Sequence, residues 1–229
     1  MTDQPVSPSS EVRRSLFAFA IFYGGMVCIA GVLGNKQVAL GPLSAIGPLV
    51  GLGPLAVEAG IFAFLMMVVT SSSVAELHGR ETANKLVLIG FIPLIFSLLL
   101  SLAVLSLPAA HDMDPDRLTA FETIMGGTPR IWLGGILAYG ISTLLNVSIF
   151  SRLKGREGET LLWLRSGVAS ALSQIVDTLI FISVAFYGVF PIGELLLGQM
   201  LAKVVLSVIL VPPLIYAFVA LGRRLDSKS

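Results

Sequence analysis

The stretch RSGVASALSQIVDTLIFISVAF, residues 165–186, decides the fold because it sets several polar side chains inside a long apolar run. At helical spacing one side of this run carries Ser170, Ser173, Gln174 and Asp177. Asp177 lies about 18 Å along the axis from Arg165, beyond the middle of a bilayer about 30 Å thick. An aspartate at that depth costs roughly 2.5 to 3.5 kcal/mol, so it predicts a ligand or ion path. The alternative is a structural hydrogen bond between helices.

The composition places the chain in a membrane. Of its 229 residues, 55% are hydrophobic and only 13% are charged, whereas a soluble domain carries about 25% charged residues. The net charge of +1 and the lack of a Lys/Arg-rich tract argue against a nucleic-acid partner. The lipid bilayer is therefore the expected partner, and a homo-oligomer is compatible with this composition.

No enzyme signature is present in the sequence. The chain has no Gly-x-x-x-x-Gly-Lys-Ser/Thr loop, no Gly-x-Ser-x-Gly elbow and no His-Glu-x-x-His site. The predicted topology places His78 and His111 on opposite sides of the membrane, which excludes a metal centre built on both of them. We therefore predict a protein that is not an enzyme and that has no cofactor and no metal.

Six apolar runs predict an all-α membrane protein with six transmembrane helices. Their approximate bounds are 15–33, 55–75, 86–107, 131–150, 161–186 and 194–221. They form one predicted domain, 15–222, between a disordered tail, 1–14, and a short tail, 223–229. Residues 38–54 are apolar but rich in Gly and Pro, so we predict a re-entrant or interfacial segment between spans one and two. The remaining connections are a polar turn, 78–85, a hydrophilic loop, 108–130, a basic link, 151–160, and a turn, 188–193.

The distribution of basic residues predicts the orientation. Eleven of them fall on one side of the six spans: Arg13, Arg14, Arg80, Lys85, Arg152, Lys154, Arg156, Arg165, Arg223, Arg224 and Lys228. The opposite side has Lys36, Arg117 and Arg130. Because cytoplasmic loops carry the excess of Lys and Arg, both termini are expected in the cytoplasm of a cell with this protein in its inner membrane.

Spans four and five share a short internal repeat. Ser142-Thr143-x-x-Asn146-x-x-x-Phe150 matches Ser173-Gln174-x-x-Asp177-x-x-x-Phe181, with polar groups on one side of each helix. Two such polar stripes on neighbouring helices predict a shared site inside the membrane. A chance match of this length is the alternative.

Lys203 in span six is the expected partner of Asp177, because each charge lowers the cost of burying the other. The alternative is that the Lys203 side chain extends to the membrane interface. Further polar groups at depth are Asn35, Glu58, Glu76, Asn146 and Gln199. Carboxylates and amides of this kind can bind a flat heterocycle through paired hydrogen bonds.

Several motifs resemble those of the queuosine precursor transporters, a family of six-span proteins. They are Gly34-Asn35-Lys36, Glu76-Leu77-His78-Gly79, the stretch from Ala138-Tyr139 to Phe150, and the stretch from Arg165 through Ser173-Gln174-x-x-Asp177-Thr178-x-x-Phe181 to Ala185-Phe186, followed by Gln199, Lys203, Pro212 and Tyr216. The chain departs from the family pattern at Ser72, Thr143 and Asn146. The departures at Ser72 and Asn146 remove two carboxylates.

The resemblance implies an inner-membrane importer of a 7-deazaguanine such as preQ0, preQ1 or queuine. The resemblance and the depth of these polar groups together indicate seven substrate-binding residues: Asn35, Glu76, Asn146, Gln174, Asp177, Gln199 and Lys203. One alternative is a membrane subunit that captures another small heterocycle or vitamin for a separate ATPase. The other is a structural membrane protein whose polar stripes only hold helices together.

Overall fold

The computed structural model describes residues 13–49, 51, 54–126, 129–157, 161–188 and 193–227. Its helices are α1 Arg14–Leu33, α2 Ile46–Leu49, α3 Gly60–His78, α4 Arg80–Leu105, α5 Pro115–Met125, α6 Pro129–Glu157, α7 Leu162–Phe186 and α8 Gly193–Asp226. Within the described ranges, six helices are long and apolar enough to cross a membrane: α1, α3, α4, α6, α7 and α8. The protein is therefore a multi-pass α-helical membrane protein, as the sequence predicted.

Parts of the predicted connections lie outside the described residues. These are 1–12 of the N-terminal tail, residues 50 and 52–53 of the Gly/Pro-rich segment, 127–128 of the hydrophilic loop, 158–160 of the basic link, 189–192 of the turn before α8, and 228–229 of the C-terminal tail.

The segment between α1 and α3 contains two short strands that the sequence did not predict. β1, Gln37–Ala39, pairs with β2, Ala56–Glu58, in an antiparallel hairpin with Gln37 opposite Glu58. A 3-10 turn and α2 lie between the strands. The hydroxyl of Ser44 donates to the carbonyl of Leu55 at 2.7 Å and accepts from the amide of Leu40 at 2.8 Å. These bonds satisfy backbone groups that a Gly/Pro-rich segment cannot satisfy within a helix. Because β2 occupies 56–58, the second span begins at Gly60 and not near Leu55.

The predicted polar turn at 78–85 is wrong. Gly79 alone separates α3 from α4, and its φ of 86° is a conformation that favours glycine. The polar residues that follow belong to the first turns of α4. The hydrophilic loop is also partly helical, because α5 forms within it behind the Asp114 cap, whose side chain accepts from the amide of Asp116 at 2.9 Å.

Helix α3 is the most buried of the six spans and α4 the least. A tyrosine pair links the outer helices to α6, since Tyr139 donates to the hydroxyl of Tyr23 at 2.9 Å. A side chain at Gly90 would place its Cβ 2.5 Å from the Tyr139 hydroxyl, so only glycine leaves room for this pair. Helices α3, α6, α7 and α8 thus form the interior of the bundle, and their facing sides carry the polar residues.

Candidate functional site

Buried polar side chains from four helices form one continuous feature, here called the polar seam. It comprises Thr70, Ser71, Ser72 and Ser73 on α3, Ser142, Thr143 and Asn146 on α6, Arg165, Ser166, Ser170, Ser173, Gln174, Asp177 and Thr178 on α7, and Gln199, Lys203 and Ser207 on α8. A lipid-facing position would leave these groups without partners, so the sequence folds with its polar stripes turned inward.

Asp177 and Lys203 form an ion pair in the seam. The ammonium of Lys203 donates to one carboxylate oxygen of Asp177 at 3.4 Å, and the hydroxyl of Ser142 donates to the other at 3.2 Å. The ring of Phe181 lies 5.9 Å from the same ammonium. Lys203 is only 5% exposed, so its side chain does not extend to the interface. The pair expected from burial is confirmed, and α6, α7 and α8 meet at it.

Glu58 of β2 adds a second carboxylate to this end of the seam. Burial raises the pKa of the Glu58 carboxyl above its usual range, the nearby ammonium of Lys203 lowers this pKa, and the carboxylate of Asp177 raises it. Both charges therefore lie within electrostatic reach of Glu58. The sequence marked Glu58 as a polar group at depth but did not connect it to the ion pair, because the hairpin that positions it was not predicted.

The amides in the middle of the seam are only partly satisfied. Asn146 donates to the hydroxyl of Ser72 at 2.9 Å, but its oxygen has no hydrogen-bond partner among the described residues. Within the same part of the chain, both amide atoms of Gln174 lack a partner, although the residue is fully buried. Burying an amide without a hydrogen bond costs about 1 to 3 kcal/mol. Such groups in a native interior pair with ordered water or with a ligand.

A second buried ion pair lies at the other end of the seam. The guanidinium of Arg165 lies 3.4 Å from the carboxylate of Glu76, and Arg165 is 1% exposed. The same guanidinium lies 5.2 Å from the ring centroid of Phe150. At about 1.5 Å per helical residue, Arg165 and Asp177 are roughly 18 Å apart along α7. The seam therefore has a charged pair near each end and neutral amides between them.

A cleft opens beside Glu76. Its volume is about 430 Å³, and its lining consists of Glu76, Leu162, Tyr216, Val219, Ala220 and Arg223. Glu76 thus contributes both to the ion pair with Arg165 and to the wall of this cleft. The cleft gives one end of the seam an opening of the size that small-molecule sites have.

The structure brings six of the seven predicted site residues into or next to the seam. Asn146, Gln174, Asp177, Gln199 and Lys203 are seam residues, and Glu76 pairs with Arg165. Asn35 is different, because it is exposed and its amide donates to the carbonyls of Gly31, Val32 and Ile124. There it satisfies carbonyls at the end of α1 and links that helix to α5.

Sequence reasoning missed the role of Arg165, which it counted among the flanking basic residues. A signal was available, because an arginine one turn inside a span needs an acidic partner, and the predicted topology put Glu76 at the same end of the bundle. The serine at Ser72 was noted only as a departure from the family pattern. In the structure it accepts the hydrogen bond from Asn146.

The internal repeat corresponds to a repeated contact. Phe150 and Phe181 occupy the same repeat position, and each ring lies close to a buried cation, Arg165 or Lys203. Helices α6 and α7 run in opposite directions, because Ser142 contacts Asp177 while Phe150 contacts Arg165. The two matching stripes therefore face one another across a shared interface, and a shared site between them stays a prediction.

One family model matches most of the chain. Residues 58–218 match the model of the family described as "Putative vitamin uptake transporter". The chain belongs to this family. The matched region contains α3 to α7 and most of α8, and every seam residue lies within it. The family is one of transporters, in agreement with the lack of enzyme signatures in the sequence.

A curated relative of the chain comes from Bacillus subtilis (strain 168). It is named "Probable queuosine precursor transporter" and is 36% identical over 150 residues, which make up 63% of each chain. The match thus spans less than two thirds of the relative. No solved structure matches the protein.

Proposed function

We propose that this transporter imports a queuosine precursor of the 7-deazaguanine type, such as preQ0, preQ1 or queuine. The observation that carries the proposal is the fully buried Gln174, whose amide has no partner among the described residues and lies one helical turn from Asp177. The name of the Bacillus subtilis relative supports the substrate class.

The chemistry of the seam suits the edge of a guanine-like ring. That edge has ring N–H and exocyclic amine donors, which one carboxylate accepts in a bidentate pair, and a carbonyl that an amide N–H can meet. In this proposal Asp177 accepts from the two donors and Gln174 donates to the carbonyl. Asn146 has one free acceptor for a further donor on the ring. The heterocycle would enter the seam alternately from its outer end and from the cleft beside Glu76.

We also propose an inner-membrane location with both termini in the cytoplasm, from the excess of basic residues on that side. Alkaline phosphatase, which is active only outside the cytoplasm, should be active when fused after Asp114 and inactive when fused after Ser227. Colony colour and phosphatase activity, compared at equal expression of the two fusions, measure on which side of the membrane each fusion point lies. Activity of the Ser227 fusion would contradict the orientation.

Gln174→Leu tests the function directly. The apolar side chain removes an amide that has no partner, so thermal stability in detergent should stay equal to wild type or rise. Uptake of radiolabelled preQ0 into proteoliposomes that contain only this chain should fall about 5- to 150-fold, the equivalent of 1 to 3 kcal/mol of lost recognition. Uptake by the wild-type chain alone would also show that no separate ATPase is needed.

Gln174→Asn is the matched control, because it keeps the amide but shortens the side chain by one methylene. It should lose less uptake than Gln174→Leu. A purely structural role for Gln174 predicts the opposite pattern, in which Gln174→Leu lowers thermal stability and leaves uptake per folded protein intact.

A further inference from the structure

We propose that Glu58 binds a proton together with the substrate, which makes this protein a symporter of one proton and one heterocycle. The inference deepens the proposed function and rests on it. The energy source of uptake is then the proton gradient, and the proton binds the carboxylate of Glu58, which lies outside the six spans.

The hairpin fixes Glu58 beside the ion pair. β2 packs against α8, the helix that carries Lys203. Val57 is fully buried, and the amide of Ala59 donates to the carbonyl of Lys36 at 2.8 Å, so the strand is held on both sides of Glu58. Gly60, the first residue of α3, approaches α1 so closely that a Cβ would lie 2.8 Å from the carbonyl of Ala30. Glu58 therefore has little freedom to move away.

The charges around Glu58 come from two helices. Lys203 on α8, the helix that packs against β2, and Asp177 on α7 lie within electrostatic reach of Glu58. The paired strand β1 has no titratable side chain and places Gln37 opposite Glu58. With all three groups ionised, this cluster carries one net negative charge. One proton on Glu58 makes the cluster neutral.

Neutrality matters when the substrate excludes water. A buried net charge is costly once water is removed, and a flat, uncharged heterocycle such as preQ0 excludes water from Asp177 when it binds there. Closure around the substrate is therefore favoured when Glu58 is protonated. During the return of the empty protein, water replaces the heterocycle and solvates the extra charge, so the proton is not required. Proton and substrate are thus moved in the same direction.

The proton balance is simple. A proton from water outside the cell binds a carboxylate oxygen of Glu58, and no other bond forms or breaks. After the protein opens to the cytoplasm, the same proton leaves to water and the substrate is released. For one proton per substrate, each pH unit of gradient can support at most about a tenfold accumulation.

The test uses purified full-length protein in proteoliposomes with radiolabelled preQ0 and a membrane potential clamped by potassium and valinomycin. Exchange of preQ0 at equal pH measures transport without coupling. Accumulation under an inward gradient of one pH unit measures coupling. Wild type and the matched control Glu122→Gln, an exposed carboxylate on α5, should accumulate preQ0 several-fold above equilibrium. A protonophore should remove this accumulation. Glu58→Gln should still exchange preQ0 but should not accumulate it.

Two results would overturn the coupling and leave the proposed function intact. One is a wild-type protein that exchanges preQ0 but does not accumulate it under the pH gradient, a result that needs no variant. The other is normal gradient-driven accumulation by Glu58→Gln. A wild-type protein that exchanges none of preQ0, preQ1 and queuine at equal pH would overturn the proposed function and this inference with it.

Discussion

Asp177→Asn should abolish uptake and lower the free energy of unfolding by about 3 to 5 kcal/mol, the cost of breaking a buried ion pair. The substitution nearly preserves volume, but it leaves the ammonium of Lys203, only 5% exposed, without its counter-charge at 3.4 Å. Glu58 can take up part of that charge, so we expect the lower end of this range. Thermal unfolding in detergent and preQ0 uptake at equal protein density measure the two effects.

The double variant Asp177→Asn with Lys203→Met separates stability from transport. Removing both charges should restore most of the stability, because the unbranched methionine side chain can fill the space of the lysine stem. Transport should stay lost, since no carboxylate remains at this position to accept from the substrate. Normal transport by the double variant would mean that the pair only holds α7 and α8 together.

Glu76→Gln should have the second-largest effect. It removes the carboxylate that pairs with Arg165, the most deeply buried arginine of the described residues. The guanidinium, which is only 1% exposed, is then left without this counter-charge. The contact with Phe150 is worth about 0.5 to 2 kcal/mol, less than the 3 to 5 kcal/mol cost of an unpaired buried charge. We therefore expect reduced abundance in the membrane as well as reduced uptake.

Glu76→Gln with Arg165→Met should recover the abundance, because no buried charge remains at this end of the seam. Uptake should stay low, since Glu76 also lines the cleft. The control is Glu81→Gln, a carboxylate exposed at the start of α4, which should change neither quantity. Normal abundance of Glu76→Gln alone would contradict a structural role for the pair.

The six spans were predictable because a bilayer requires about 20 apolar residues for each helix, and that length is visible in the sequence. The boundaries were less predictable. Glu81 and Lys85 resemble turn residues, yet a helix satisfies its own backbone bonds and continues into water. Strands β1 and β2 have three residues each and pair across a gap of sixteen residues, so neither a period nor a turn signal marks them.

The site was predictable where a single helix carried the signal. Ser142, Gln174 and Asp177 were found by their spacing, and Lys203 by the need of Asp177 for a partner. Contacts that depend on the arrangement of non-neighbouring elements were missed. Arg165 with Glu76 and Glu58 with Lys203 are of this kind, because their pairing is set by how α3, β2, α7 and α8 pack and not by any local pattern.

The two cation–ring contacts have a consequence for the direction of flow. Arg165 over Phe150 and Lys203 over Phe181 lie near opposite ends of the seam, and the two rings belong to matching stretches of the antiparallel helices α6 and α7. A carrier with similar chemistry at its two openings does not itself favour one direction of transport. Net movement then follows the gradients alone, and a loaded cell should lose the heterocycle whenever the medium is depleted. Retention would depend on how quickly the next metabolic step consumes the molecule after entry.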